Sequence, residues 1–315
     1  MPGPSKKKAK AMGAVDVLCV GQASYDLVFS VDRHPGPDEK SVATLFAGCG
    51  GGPAANAAVT VARLGRRAAF AGYLGNDFYG RAHFDELSRE NVLTDFVYRG
   101  TVPTPLSAIL VKPDGKRTVV NYKDAAIPAP AEPETLPADF CPKVILFDGH
   151  EPYLAPVFTA HARRAGIPTV LDAGSVHAGT RGLVDQVDYI VAAEKFATDF
   201  TGERDVVRAA RELTRYAPWV VVTRGEAGIV WQTAGGAGQM DAFAVAAVDT
   251  TGAGDVFHGA FAAGLSEKMA WPALLQYASA AGALACTRYG ARPAIPHADE
   301  VDRFLRSRAQ NLGSR

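Results

Sequence analysis

The stretch Asp249–Phe261, "DTTGAGDVFHGAF", decides how this chain is read. A strand ends near Val248, and a helix-like run of small and apolar residues follows. Between them, Gly252, Ala253 and Gly254 can turn sharply and expose successive N–H groups at a helix start. Free donors and the helix dipole both favour negative charge there, and glycine lets a phosphate come close to the backbone. Asp255 nevertheless sits in the first helical turn, where it would repel a resting phosphate. The acid makes chemical sense beside a hydroxyl nucleophile whose proton it removes as a phosphoryl group is transferred. Taken alone, the pattern equally describes a helix N-terminal carboxylate, worth about 0.3–1 kcal/mol.

The rest of the composition is that of an ordinary soluble globular protein. The 315 residues are 48% hydrophobic and 21% charged, and 33 basic residues balance 33 acidic ones. That balance favours neither nucleic acid nor an anionic membrane. No apolar run reaches the roughly 18 residues a membrane helix needs. Cys19, Cys49, Cys141 and Cys286 are widely spaced and form no metal-ligand pattern, so they read as buried thiols in a reducing cytoplasm. Residues 1–13 read as a disordered polar tail, with residues 14–315 as one domain.

Along that domain, short apolar runs alternate with helical patterns. This rhythm implies an α/β three-layer sandwich with a central, mostly parallel sheet flanked by helices. The first strand lies in "AVDVLCVGQASYD" (Ala14–Asp26), with Asp26 at its carboxyl end. Two blocks break the rhythm with antiparallel character. One covers about residues 27–47; the other covers about 96–123, with "PDG" (Pro113–Gly115) as a hairpin turn. Together they read as a small β-sheet lid. Ala126–Phe140 reads as a Pro-rich surface connector.

A second glycine cluster, "AGCGGGPAAN", opens a helix in which Pro53 near the start is harmless. Its backbone could approach a ligand, and Asn56 offers both a donor and an acceptor. The cluster matches neither the Gly-Lys-Ser/Thr phosphate loop nor GxGxxG.

Together, "GGGPAANAAVTVARLG" (Gly50–Gly65) and "DTTGAGDVFHGAFAAGL" (Asp249–Leu265) resemble the two signatures of the PfkB carbohydrate kinases of the ribokinase-like superfamily. The resemblance runs from about Val15 to about Leu305. It implies an ATP- and Mg²⁺-dependent sugar kinase with a β lid over the sugar. It casts Asp255 as the base and Gly252, Ala253 and Gly254 as the anion hole. Asp26, Gly51, Gly52 and Asn56 become sugar-facing residues. Thr223, Gly225 and Gly228 of "VVTRGEAG" flank the nucleotide. Asp249 and Thr251 match a monovalent-cation (K⁺) site of some members. Homodimers through the lid are also implied.

Several positions depart from the family pattern. Pro53 stands where ribokinase-type loops carry lysine, which counts against ribose. Ala193 and Phe196 occupy the signature positions of the Asn-x-x-Glu element tied to Mg²⁺ and phosphate, leaving Glu194 nearby. "GGGPAA", "DTTGAGDVFHGA" and "CTRYGARPAIP" resemble the sulfofructose kinase branch, in which a lid lysine and an asparagine grip an anionic tail. Lys40 and Asn121 match these. The branch's arginine after the central strand is missing; "FDGHEP" offers His150 and Glu151 at a strand end where such sheets bind ligands. His258 reads as packing, and Arg292 as either a phosphate contact or a structural pairing. A nucleoside or ribose kinase of the same fold and a non-catalytic sugar- or nucleotide-binding regulator are the alternatives. A dinucleotide oxidoreductase would need a GxGxxG that "GQASYD" does not supply.

Overall fold

The structure is a computed structural model describing residues 14–313, apart from 114, 128 and 131–139; side chains are described to residue 310. The expected tail at 1–13 and much of the Pro-rich connector lie outside the described residues. So does Asp114 of the "PDG" turn. Gly115 of that turn has φ +75°, and its N–H donates to the Lys112 carbonyl at 2.9 Å.

Chain order is β1 (Val17–Val20), β2 (Ser24–Ser30), β3 (Leu45–Gly51), α1 (Pro53–Arg63), β4 (Ala68–Gly75), α2 (Phe78–Arg89), β5 (Leu93–Gly100), β6 (Leu106–Val111), β7 (Arg117–Tyr122) and β8 (Val144–Phe147). There follow α3 (Ala155–Ala165), β9 (Thr169–Ala173), α4 (Ala178–Leu183), β10 (Tyr189–Ala193), α5 (Glu194–Thr201), α6 (Val206–Leu213) and β11 (Trp219–Thr223). The chain ends with β12 (Ile229–Thr233), β13 (Gly236–Met240), α7 (Ala253–Ser266), α8 (Trp271–Ala285), α9 (Ala291–Ala294) and α10 (Ala298–Gly313).

Nine strands form one sheet in the order β13-β12-β11-β10-β9-β8-β1-β4-β5, parallel from β11 to β5. β12 and β13 extend it antiparallel, as their hairpin pattern implies. The inner strands are apolar on both faces because helices cover both. Val17 and Cys19 of β1 pack into a core shared with α1, α7 and α8. Leu18 and Val20 face the opposite core, built with α3, α5 and α6. The two-residue period of a strand makes this division.

A second sheet, β3-β2-β6-β7, forms the lid. Two expected boundaries shift. β5 joins the main sheet beside β4, so residues 96–100 are not lid. Asp26 does not end the first strand: β1 stops at Val20, and Asp26 lies within lid strand β2. The chain turns after Val20 because Gly21 lies against Asp148, whose carboxylate a Cβ at residue 21 would meet at 2.0 Å. Helices α4, α5 and α9 have no counterpart in the sequence reading; each is short, and α4 and α9 run for six and four residues. Of the four cysteines, Cys19 is buried and Cys141 exposed, and all four are free thiols.

The helices that carry the two glycine-rich signatures, α1 and α7, pack closely. Ten of the fourteen residues of α7 are buried, half of them glycine or alanine. At Gly259 an added Cβ would stand 2.7 Å from both the Ala57 carbonyl oxygen and Thr60 Cβ. Gly259→Ala therefore forces the two helices apart. We expect it to destabilise the protein by about 1–3 kcal/mol, read as a lowered Tm in thermal denaturation. An unchanged Tm would mean that the helices accommodate the methyl group without separating.

Candidate active site

The site is assembled where α7 begins, where α1 begins and where the lid crosses both. Gly252 caps α7 with φ 75°, and a Cβ there would stand 2.7 Å from the Ala291 Cβ. Glycine is thus required twice, by conformation and by contact. The Ala253 N–H reaches back to the Thr250 carbonyl at 3.3 Å. The N–H groups of Gly254 and Asp255 meet no protein acceptor among the described residues, as expected of a helix's first turn. Asp249 clips the preceding loop: its Oδ1 accepts from the Thr251 N–H at 2.9 Å and hydroxyl at 2.6 Å, and its Oδ2 from the Gly290 N–H at 2.8 Å.

Asp255 is only partly exposed. Its Oδ2 accepts a 2.7 Å hydrogen bond from Asn56 Nδ2. Burial, then the negative charge of Asp172, push its carboxyl up to about 7, against the lowering effect of Asn56 and His258. Beneath it lies a buried pair, His258 Nδ1 and Asp172 Oδ2, 3.2 Å apart. The other ring nitrogen of His258 faces the Val191 carbonyl at 3.1 Å. His258 is therefore more than packing: it and Asp172 form the electrostatic floor under Asp255.

Across the lid, the register aligns Cys49, Asp26, Ser107 and Asn121 in one row, and paired residues on neighbouring strands share a face. Asp26 is 5% exposed and accepts from the Ser24 hydroxyl at 3.1 Å; burial raises its pKa, against hydrogen bonds from Ser24 and Ser107. Gly51 must be glycine here, since a Cβ would lie 2.2 Å from Asp26 Oδ2. Gly52 has φ 93°, and a Cβ there would strike the Gln22 carbonyl at 2.5 Å.

At the end of β8, Asp148 ties three segments together. Its Oδ2 accepts from the Gln22 and Ala54 N–H groups at 2.8 and 3.1 Å, and its Oδ1 from the His150 N–H at 2.8 Å. His150 stacks on His177 with ring centroids 4.3 Å apart. Glu151 is buried and accepts from the Tyr98 hydroxyl at 2.7 Å; burial pushes its carboxyl up to about 7.

Other expected residues fall elsewhere. Thr223, at the end of β11, donates to the Ala192 carbonyl at 3.3 Å. Gly225 and Gly228 both have positive φ, and a Cβ at Gly228 would lie 2.0 Å from the Met240 carbonyl. Glu194 opens α5 and faces Arg224 Nε at 3.9 Å. Phe196, in place of a polar signature residue, is buried and stacks on Phe200. Lys40 is exposed on the loop joining β2 to β3 and makes no hydrogen bond or ion pair to the described residues. Asn121 is exposed, but in line with Asp26. No cluster of three or more His, Cys, Asp or Glu able to hold a metal ion occurs among the described residues. None of their helices is long and apolar enough to cross a membrane.

Sequence reasoning missed Ser107, Asp148 and the Asp172–His258 pair. Ser107 becomes visible only through strand register. Asp148 carried a signal, a carboxylate at a strand's carboxyl end just before two residues already singled out.

A helix N-terminus with free amides, a carboxylate beside it and a lid bearing a buried acid define a small-molecule phosphotransferase. The chain belongs to the pfkB family of carbohydrate kinases, whose model matches residues 14–298. It is 28% identical to a ribokinase of Bacillus subtilis (strain 168) over 293 residues, covering 92% of this chain and 99% of the relative. It is 29% identical to a probable fructokinase-4 of Arabidopsis thaliana over 288 residues, covering 81% and 87%. The crystal structure of an Agrobacterium tumefaciens protein, provisionally described as a ribokinase, superposes with a TM-score of 0.87 at 31% identity, covering 95% of this chain and 99% of that one. The protein is thus a carbohydrate kinase, transferring phosphoryl groups to sugar hydroxyls.

The raised Asp255 pKa has a stability consequence. A carboxyl whose folded pKa exceeds its unfolded value of 3.8 destabilises the fold when ionised. The cost is absent below about pH 4, grows through the interval up to about 7 and is constant above it. Asp255→Asn should therefore raise Tm at pH 8, with the gain vanishing towards pH 4. A Tm difference independent of pH would contradict the raised pKa.

Proposed function

We propose that this protein transfers the γ-phosphoryl group of MgATP to a primary hydroxyl of a ketose or related small sugar held between Asp255 and the lid. The observation that carries the reading is the placement of Asp255. It lies on the first turn of α7, next to unpartnered amides, and Asn56 occupies only its Oδ2. Oδ1 is left for the hydroxyl.

The mechanism follows from those contacts. Asp255 Oδ1 takes the hydroxyl proton as the oxygen attacks the γ-phosphorus in line, and the bond from that phosphorus to the bridging β-phosphate oxygen breaks to release ADP. The Gly252–Gly254 turn presents the free amides of Gly254 and the adjoining Asp255, together with the α7 dipole, to the charge spreading over the phosphoryl oxygens. Asp26, with Ser107 and Asn121 in the same row, supplies acceptors and donors for sugar hydroxyls. Gly51 and Gly52 let the backbone approach, and His150 and Glu151 close the side at the end of β8. Thr223, Gly225 and Gly228 shape the nucleotide side. Mg²⁺ arrives with ATP; Glu194 is the carboxylate nearest to the replaced Asn-x-x-Glu element. The Asp249–Thr251 clip is where the resemblance adds a monovalent cation, and no step here depends on it.

Two finer readings have specific support. Asn121 in the Asp26 row suits a sulfofructose-like anionic sugar, with Lys40 swinging in from its exposed loop. The outward lid face carries Phe46, Val120 and Tyr122, respectively 60%, 68% and 48% exposed. Such a face suits a second copy of the lid and hence a homodimer.

Asp255→Ala and Asp255→Asn should each lower kcat by ~10²–10⁴, the usual share of general-base catalysis. In the wild type, activity should fall as pH drops through about 7, because only the ionised carboxylate accepts the proton. Near-normal turnover in either variant would remove Asp255 from this role. ATP consumption over a panel of ketoses, aldoses, sulfofructose, sugar acids and nucleosides identifies the acceptor. Turnover confined to nucleosides would replace the sugar reading with that of a nucleoside kinase. Binding without ADP production would indicate a regulator. Lys40→Ala should raise KM severalfold for an anionic sugar and leave neutral ketoses unchanged; equal KM values would discard the anionic reading.

A further inference from the structure

Arg292 is one of the largest fully buried side chains of the protein, 2% exposed, on the short helix α9. Its guanidinium meets three partners. Nε donates to Asn56 Oδ1 at 3.1 Å, Nη1 to Glu86 Oε1 at 3.3 Å, and Nη2 approaches His83 Nε2 at 3.3 Å. Asn56 in turn donates its Nδ2 to Asp255 Oδ2 at 2.7 Å. A line of contacts therefore runs from α2 through Arg292 and Asn56 to the base.

The chemistry of the amide gives this line a direction. An asparagine side chain has nearly the same shape when its oxygen and nitrogen are exchanged, but the two ends bond oppositely. A guanidinium can only donate. It thus demands the oxygen of Asn56 and turns the NH₂ towards Asp255. In the flipped amide, NH₂ would face N–H and oxygen would face carboxylate, two repulsive contacts in a desolvated place. We infer that Arg292 is a positioning residue for the phosphoryl-transfer base, fixing the Asn56 amide so that it donates to ionised Asp255. The inference rests on Asp255 acting as that base.

Arg292 is itself held on every side. Burial and the adjacent guanidinium keep His83 well below its usual pKa, so it stays neutral with a lone pair for Nη2. Glu86 Oε2 accepts from the Gly50 N–H of the lid strand at 2.7 Å. Glu90, Cys49 and Asp26 also act on Arg292 electrostatically. Around Asp255 the facing groups are Asp172, His258 and Asp26, with Asn56. The Arg292 backbone is secured separately. Arg63 Nη1 donates to the carbonyls of Arg292 and Ile295 at 3.0 and 2.9 Å, while its other nitrogens pair with Glu90 at 3.0 and 2.6 Å. Side-chain variants at 292 leave this lock in place.

The test uses isosteres. Glutamine places its amide nitrogen where arginine has Nε, and methionine places a methyl carbon there. Arg292→Gln keeps a donor without the charge; Arg292→Met keeps neither. Losing a hydrogen bond to a charged group corresponds to about one pH unit. In the Met variant the acid limb of the kcat profile should therefore move up by about one unit, with kcat at pH 6 down about tenfold and sugar KM changed less than about twofold. The Gln variant should keep the wild-type limb. Should the Met variant fail to fold, Arg292→Lys serves: it keeps the charge but sets a methylene at the Nε position, and its limb should move as predicted for Met. An unmoved limb in Met or Lys, or an equal shift in Gln, would overturn the inference and leave Arg292 a structural counter-ion to Glu86. Asp255→Asn assayed in parallel separates the two levels. If it is inactive while the limbs coincide, only the Arg292 inference falls; if it turns over normally, the base reading falls first.

Discussion

The hydrogen bond from Asn56 to Asp255 joins residues 199 positions apart in the chain, and the active end of the molecule is organised around it. It exists only because α1 and α7 approach closely enough for a four-atom side chain to cross between them. That approach depends on Gly259 over Ala57, where even one methyl group would not fit. The small-residue composition of α7, which looks like plain core packing, is therefore a geometric requirement of the site. The glycines before each helix then serve a second purpose. They let the two helix starts come close together, with the Gly254 and Asp255 amides of α7 left free and the Ala54 amide of α1 held by Asp148.

The lid completes the arrangement by register. One strand slip would turn Asp26, Ser107 and Asn121 to the outer face and bring Leu27 and Ala108 inward. Gly51 opposes Ser24, and its missing Cβ gives Asp26 its room. The same strand is anchored at Gly50 to Glu86, which holds Arg292, which holds Asn56. The lid and Asp255 thus share one polar network. At the far end of the lid, Arg117 donates to Thr250 at 3.0 Å, two residues before the α7 cap. The lid is therefore tied both to the polar network around Asn56 and to the loop that precedes α7.

Much of this was legible in the sequence. The two glycine clusters announce themselves, because a positive φ or a close backbone approach leaves little choice of residue. The alternating strands and helices announce a covered parallel sheet, since an apolar run without alternation must be buried on both faces. Other parts are invisible for equally physical reasons. β5 and the lid strands have similar local patterns, and only the partner available at the sheet edge assigns β5 to the main sheet. Asp26 looked like a strand-end residue because the turn that separates β1 from β2 is set by Asp148, over a hundred residues away. Arg292 reads as a generic cation until its burial is known. Phe196 replaces a polar signature, and the structure gives the reason it is tolerated locally: it packs on Phe200 inside the core.

The site gathers Asp26, Asp172 and Asp255 in a largely desolvated space, an arrangement that opposes folding above neutral pH. Two of the carboxylates are moderated, and differently: Asp26 has hydroxyl donors on the lid, and Asp255 has the Asn56 amide. Asp172 lies 3.2 Å from His258 without a hydrogen bond between them. Arg292 lies behind Asn56 and does not touch Asp255 directly. A guanidinium in direct contact would hold Asp255 at low pKa and leave it a weak base. An amide interposed between them donates a single hydrogen bond, enough to orient the carboxylate and to favour its ionised form, yet not enough to cancel the effect of burial. Asp255 is thereby left near neutrality, a range in which a carboxylate can be ionised and still accept a proton well. Placing Asn56 between a fixed cation and a buried acid resolves the conflict between holding Asp255 and keeping it basic.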